Sequence, residues 1–250
     1  MARRNLQRIV SLEPSVTAIL YALGQQERLV AVSKYCNRLV DVGDKPRLVP
    51  TWSADAQAIV ALEPDLVIAS VPYRTESIAA LLQARVNVLA LYPQCLDDLF
   101  AHIVCLGRLC DASERVEKLV AEIREGLESL RPSGHHTHRP RVYYEVWAHP
   151  LIGAPGWVAE LIDLVGGQSV PANTPVSESD ILAADPEIII VAWPGVESQR
   201  PDLVLERLGW EHVTAVRSRR VVPVNEIRLN APGPNVVQGA RELATIIQTV

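Results

Sequence analysis

Two kinds of hydrophobic pattern alternate along this chain. Stretches with apolar residues three or four apart, the spacing of an amphipathic helix, hand over to short apolar runs rich in Val, Ile and Leu. The handover is spelled in nearly the same way twice. Ala61-Leu62-Glu63-Pro64-Asp65-Leu66-Val67-Ile68-Ala69 is answered by Ala183-Ala184-Asp185-Pro186-Glu187-Ile188-Ile189-Ile190-Val191-Ala192. Proline stops the helix and biases the residue before it toward extended backbone. An apolar run without polar alternation then reads as a strand covered on both faces, as in a parallel sheet. Two such handovers predict an α/β chain with two similar lobes, whose work is done in the cleft between them.

Each lobe follows one order of elements. In the first, strands are expected at 8–12, 29–33, 66–69 and 86–91, with helices at 15–23, 55–62, 75–84 and 96–109. Ser15 or Thr17 is the expected cap of the first helix, and Gly24 its stop. The longest helical pattern runs over 112–130, with Val116, Leu119, Val120, Ile123, Leu127 and Leu130 on one stripe. Arg131 to Arg139, with Pro132, Gly134 and three histidines, is the internal boundary. The chain thus divides into an N-terminal lobe at 1–110, a linking helix at 111–131 and a C-terminal lobe at 132–250. In the second lobe strands are expected at 141–146, 188–192 and 220–224, with helices at 157–165, 177–184, near Leu203 and at 234–247.

Composition narrows the function. A formal charge of −5 over 250 residues, with both signs interspersed, leaves no basic footprint for nucleic acid. No apolar run approaches the roughly 20 residues that span a bilayer. Met-Ala-Arg-Arg-Asn-Leu-Gln-Arg carries no apolar leader before the first strand, which points to a cytoplasmic chain. Cys36, Cys95, Cys105 and Cys110 have no CxxC spacing and read as reduced thiols rather than zinc ligands. No Ser-His-Asp order or nucleophile elbow is present, so an enzyme is not expected, and the glycines follow helices rather than strands, unlike phosphate loops.

Ligands of open α/β sheets meet the carboxyl ends of the strands. Those ends carry Pro14, Tyr35, Cys36, Trp52, Tyr73 and Arg74 in the first lobe. In the second they carry Trp147, His149, Trp193 and the segment with Glu226, Arg228 and Asn230. Aromatic side chains there suit a large planar or amphipathic ligand. His149 is a candidate axial ligand to cobalt or iron, although a lone loop histidine is more often simply polar. Cys36 is equally a metal contact or reactive thiol and a small residue filling space. Trp210 reads as packing, and His135, His136 and His138 as a solvated loop.

Arg-Ile-Val-Ser-Leu-x-Pro-Ser-x-Thr at the start, Leu-Val-Ala-Val-Ser-x-Tyr-Cys at 29–36, Glu-Pro-Asp-Leu-Val-Ile and Pro-Gly-Pro at 232–234 resemble the helical-backbone substrate-binding proteins of ABC importers. Thr51-Trp52-Ser53 makes the vitamin B12-binding branch the nearest in pattern. The resemblance implies two Rossmann-like lobes with mainly parallel central sheets, joined by one long rigid helix. It implies a cobalamin or related corrinoid as bound ligand, no catalytic cofactor, and an ABC permease as partner. Pro14, Tyr35 and Trp52 would pack on the corrin from the first lobe, while in the second Trp147, His149 and Trp193 occupy comparable cleft loops. Relatives in this branch dock on permease arginines through an acid on each lobe, where this chain has Gln57 on one side and Glu178 and Asp180 on the other. The aspartate and arginine that some relatives use near the last strand have no clear counterpart here, although Glu226, Arg228 and Asn230 lie close by. The resemblance also implies a periplasmic or extracellular setting. Haem or an iron-siderophore is the alternative ligand, and an enzyme or metal-cluster component the alternative class, the latter requiring cysteines that converge.

Overall fold

The computed structural model describes residues 6–48, 55–70, 75–133, 138–171, 175–196 and 198–248. It is an α/β chain of two compact units. The first takes in Met1–Pro93 and Asp97–Glu122, the second Gln94–Leu96 and Ile123–Val250.

In the first unit β1 (Ile9–Ser11) leads into α1 (Pro14–Ala22), followed by β2 (Leu29–Ser33), β3 (Arg47–Leu48) and α2 (Ala56–Val60). Next come β4 (Leu66–Ser70), α3 (Thr75–Gln83), β5 (Val88–Leu91), α4 (Leu96–Leu109) and α5 (Ser113–Glu128). The five strands lie in the order β3-β2-β1-β4-β5, every pair parallel. Ile9, Val10, Val67 and Ile68 are fully buried, as expected of central strands covered on both faces. On α5 the predicted stripe is observed: Val116, Leu119, Ile123 and Leu127 are buried. Ser113–Glu122 of this helix belongs to the first unit and its end to the second.

The second unit runs β6 (Arg141–Glu145), β7 (Trp147–Ala148), β8 (Leu151–Ile152), α6 (Gly156–Leu164), β9 (Gln168–Ser169), α7 (Glu178–Ala184) and β10 (Ile188–Val191). It ends with α8 (Pro201–Leu205), α9 (Thr214–Arg217), β11 (Val221–Pro223), α10 (Ile227–Asn230) and α11 (Val236–Ile247). Its sheet has the order β11-β10-β6-β9, again wholly parallel, and β7 and β8 form a separate antiparallel hairpin. All four residues of β10 are fully buried. Each such aliphatic side chain contributes about 1.5–3 kcal/mol by leaving water.

The repeated handover is built twice from the same hydrogen bonds. In the first unit Asp65 accepts from the backbone N–H groups of Gln7 and Arg8 at 2.9 and 3.0 Å, and Asp65 N–H donates to Arg8 O at 2.8 Å. Arg8 Nε in turn donates to the carbonyls of Leu62 and Glu63. In the second, Glu187 accepts from Arg141 N–H at 3.0 Å, Glu187 N–H donates to Arg141 O at 2.8 Å, and Arg141 Nε donates to the carbonyls of Ala184 and Asp185. An arginine at the start of one strand thus ties down the helix end that feeds its neighbour. Glu63 and Asp185 are not extended, as their place before proline predicts, but left-handed, with φ of 46° and 42°. The guanidinium holds their carbonyls in place, which compensates an otherwise unfavourable backbone.

Other departures have local causes. The cap of α1 is Glu13, which makes no side-chain capping bond to the helix: Pro14 at the first helical position presets the backbone, and Thr17 is engaged elsewhere. Ser177 does cap α7, in a reciprocal pair with Asp180. Gly156, first residue of α6, lies against the chain at Gln94: a Cβ there would stand 2.0 Å from the Gln94 carbonyl oxygen. Backbone cannot yield as a side-chain tip does, so Gly156→Ala should cost about 1–3 kcal/mol in a urea titration. A change under about 0.5 kcal/mol would show that the two segments part freely.

Candidate functional site

Strand order reverses at β1 in the first sheet and at β6 in the second, so the carboxyl ends of β1, β4, β6 and β10 are where a ligand is expected. In the first unit, Pro14 opens α1 directly after β1 and is buried. Tyr35 follows β2, half-buried, with Lys34 Nζ 4.8 Å from the centre of its ring. Cys36 stands at the head of a 3-10 turn, fully buried. Its Sγ lies 3.1 Å from Thr17 Oγ1 and 3.2 Å from Ser33 Oγ, and Thr17 Oγ1 is 2.8 Å from Ser11 Oγ. Burial pushes the Cys36 thiol up, against the pull of these hydroxyls. Buried between Thr17 and Ser33, the thiol stitches α1 to β2. Trp52, Tyr73 and Arg74 lie outside the described residues.

The second unit supplies a denser arrangement. β6 ends in Glu145, whose carboxylate is fully buried. Arg207, after α8, grips it with both arms, Nη1 to Oε2 at 2.7 Å and Nη2 to Oε1 at 2.9 Å. Trp193 Nε1 donates to Oε1 at 3.1 Å. The same guanidinium lies 4.3 Å over the ring of Trp210, whose Nε1 donates to Glu178 at 2.7 Å. Tyr143 packs obliquely on Trp210 with ring centres 6.1 Å apart. Burial, and after it the charge of Glu145, raises the Tyr143 phenol far above its usual range, so it stays neutral. Trp193 is therefore set into this core, 8 % exposed, beside Trp210 at 0 %.

Above it lies the β7–β8 hairpin, in what the sequence reads as plain loop. Ala148 and Leu151 pack against the core of Tyr143, Trp193 and Trp210. Trp147 is 43 % exposed, and His149 stands at the exposed turn, joined to Pro150 by a cis peptide.

Beyond β10 and β11, Glu226 is buried and accepts from Gly195 N–H at 3.2 Å. Asn230 accepts from the Tyr144 hydroxyl at 2.9 Å and donates to Ala192 O at 2.8 Å, bracing the end of β10. Arg228 is half-buried and pairs at 3.8 Å with Glu242. Tyr144 is raised well above its usual pKa by burial, then by the charges of Glu226 and Glu242. Of the residues expected to meet a permease, Gln57 N–H donates to Asp55, Glu178 holds Trp210, and Asp180 closes the cap of α7. Cys36, Cys95, Cys105 and Cys110 form no disulfide, and no three metal-ligating side chains converge among the described residues. Among them too, no helix is long and apolar enough to cross a membrane.

The ion pair and the arginine clamps escape a reading of the sequence. A lone acid in the run Val-Tyr-Tyr-Glu-Val is the signal for the first, since a buried carboxylate needs a partner. An arginine at the head of each unit's opening strand, Arg8 just before β1 and Arg141 as the first residue of β6, is the signal for the second.

Comparison with known proteins agrees with this architecture. Residues 9–226 match the family described as periplasmic binding protein. The vitamin B12-binding protein of Vibrio parahaemolyticus is 26 % identical over 259 residues, covering 100 % of this chain and 92 % of that one. An ABC transporter substrate-binding lipoprotein of Bacillus subtilis, YvrC, is 25 % identical, covering 98 % and 81 %. Among solved structures, the periplasmic heme-binding protein RhuT of Roseiflexus superposes with a TM-score of 0.81 at 24 % identity, and the vitamin B12-binding protein BtuF of Vibrio cholerae with 0.71 at 23 %, each covering 98 % of both chains. These neighbours share the fold. The expectation of a cytoplasmic chain does not stand against this family: its members are periplasmic proteins, and one relative matched along almost all of this chain is a lipoprotein. From β1 through Glu226, sequence and fold place this chain in the periplasmic binding protein family.

Proposed function

We propose that the chain binds a corrinoid of the cobalamin type and hands it unchanged to an ABC permease, with the strand-end hairpin of the second unit that carries Trp147 and His149 as a ligand contact. The observation that carries this reading is Trp147. A tryptophan 43 % exposed on a hairpin at the carboxyl end of a central strand presents a flat, amphipathic face that suits a broad planar ligand. Support comes from relatives named as vitamin B12-binding or cobalamin-binding proteins, matched across 95 % or more of this chain. Binding, rather than conversion, is what the family of periplasmic binding proteins does in general. Trp193 and Cys36 serve the reading indirectly, by fixing the elements on which the exposed residues stand.

Titration with cyanocobalamin, cobinamide and haemin, followed by visible spectrum and calorimetry, tests it. Saturable binding of a corrinoid at micromolar concentration is expected. Binding of haemin alone, or of none of the three, overturns the proposal. Trp147→Ala should weaken corrinoid binding by about 1–3 kcal/mol with the melting temperature nearly unchanged, because the indole is half outside the core. Unaltered affinity would remove Trp147 from the site.

A further inference from the structure

We infer that Glu145 and Arg207 are positioning residues: their buried ion pair, with Trp193, is the seat that fixes the β7–β8 hairpin and so decides where Trp147 and His149 are presented. The inference rests on the reading of these loops as a binding surface and adds to it the part that sets their geometry.

The hairpin cannot fix itself. Each of its strands has two residues, and an isolated two-stranded ribbon is marginal in water. The bond from Val146 N–H to Ile152 O at 2.8 Å closes it, and its anchor is the packing of Ala148 and Leu151 on the core beneath. Val146 directly follows Glu145, so the hairpin begins at the residue whose side chain is seated in this network, one end of it held there while the ladder holds its backbone through Ala192 N–H to Glu145 O at 3.0 Å. The carboxylate is immobilised by three donors from two other parts of the chain, Trp193 after β10 and the fork of Arg207 after α8.

Stability alone does not explain such a pair. Apolar residues of similar volume serve a core about as well as a buried ion pair does, whereas bidentate hydrogen bonding adds direction that apolar contact lacks. Arg207 is fixed in turn, because its other face lies on Trp210, which Glu178 holds by the indole N–H. The network therefore joins β6, β10 and the segment after α8 into one base below the hairpin.

Hydrogen exchange and corrinoid titration on Glu145→Gln and Arg207→Lys test this. The first keeps the shape and an acceptor for Trp193, and the second keeps the charge but loses the fork. Leu161→Ala in α6 serves as a control that destabilises the unit elsewhere. The amides of residues 146–152 should exchange about tenfold faster in both variants, while β10 and β11 change no more than in the control. Corrinoid affinity should fall about tenfold in both and hold in the control. Unchanged exchange in the hairpin, or acceleration spread evenly over the unit as in Leu161→Ala, overturns the inference. A wild-type chain that binds neither corrinoid overturns the binding reading and the ligand half of this one. The exchange pattern then still decides whether the pair seats the hairpin.

Discussion

An Arg207→Met chain should unfold about 3–5 kcal/mol more readily than the wild type. Glu145 has 0 % exposure, and its two strongest hydrogen bonds come from the arms of Arg207. Without them a carboxylate remains in the core with the Trp193 indole as its remaining donor in the network. Urea unfolding followed by circular dichroism measures the loss, and a cost under about 1 kcal/mol would show that water reaches the carboxylate at little expense. The companion chain carrying Glu145→Leu as well should recover much of the stability, because the charge that needed a partner is gone. It should not recover ligand affinity, since the direction imposed on the hairpin is gone too.

Trp210→Ala should be comparably severe, at about 3–5 kcal/mol. The indole is fully buried, meets Tyr143, lies under the Arg207 guanidinium and donates to Glu178 at 2.7 Å. Alanine leaves a cavity that rigid β-sheet on one side cannot close. Trp210→Phe keeps most of the volume and should lose about 1 kcal/mol, the hydrogen bond and some packing. The costs of Arg207→Met and Trp210→Ala should add to less than their sum, because each removes the other's contact. Strict additivity would show that Arg207 is held by Glu145 alone.

The parts of the fold that depend on one-dimensional pattern were legible. β2 at Leu29–Ser33 and α4 at Leu96–Leu109 fall at the expected bounds, since continuous apolar runs and helical stripes survive any arrangement of neighbours. Short elements were not. β3, β9 and the β7–β8 hairpin each have two residues per strand, too few for a period, and they exist because a neighbouring strand offers partners. The same limit applies to α9 and α10, of four residues each.

The site divided along another line. Placing Trp147, His149, Tyr35 and Pro14 at strand ends needed only the order of the elements. Telling an exposed tryptophan from a core one needed the third dimension: Trp147 and Trp193 follow β6 and β10 in similar positions, yet one lies on the hairpin and the other donates into the core. Cys36 shows the same limit, since its neighbours Thr17 and Ser33 come together only when α1 packs against β2.

The paired arginine clamps bear on how such a chain can be rebuilt. Arg8 lies 57 residues before Asp65, and Arg141 lies 46 before Glu187, yet the bonds that close each joint are alike. Between these fixed points one unit spends its residues on two extra parallel strands and the other on a hairpin and a single short strand. The joints thus behave as a chassis on which loops of different length are mounted. For design, the stretches between clamp and clamp are the places to graft new recognition loops, and Arg8, Asp65, Arg141 and Glu187 are the four residues to leave untouched.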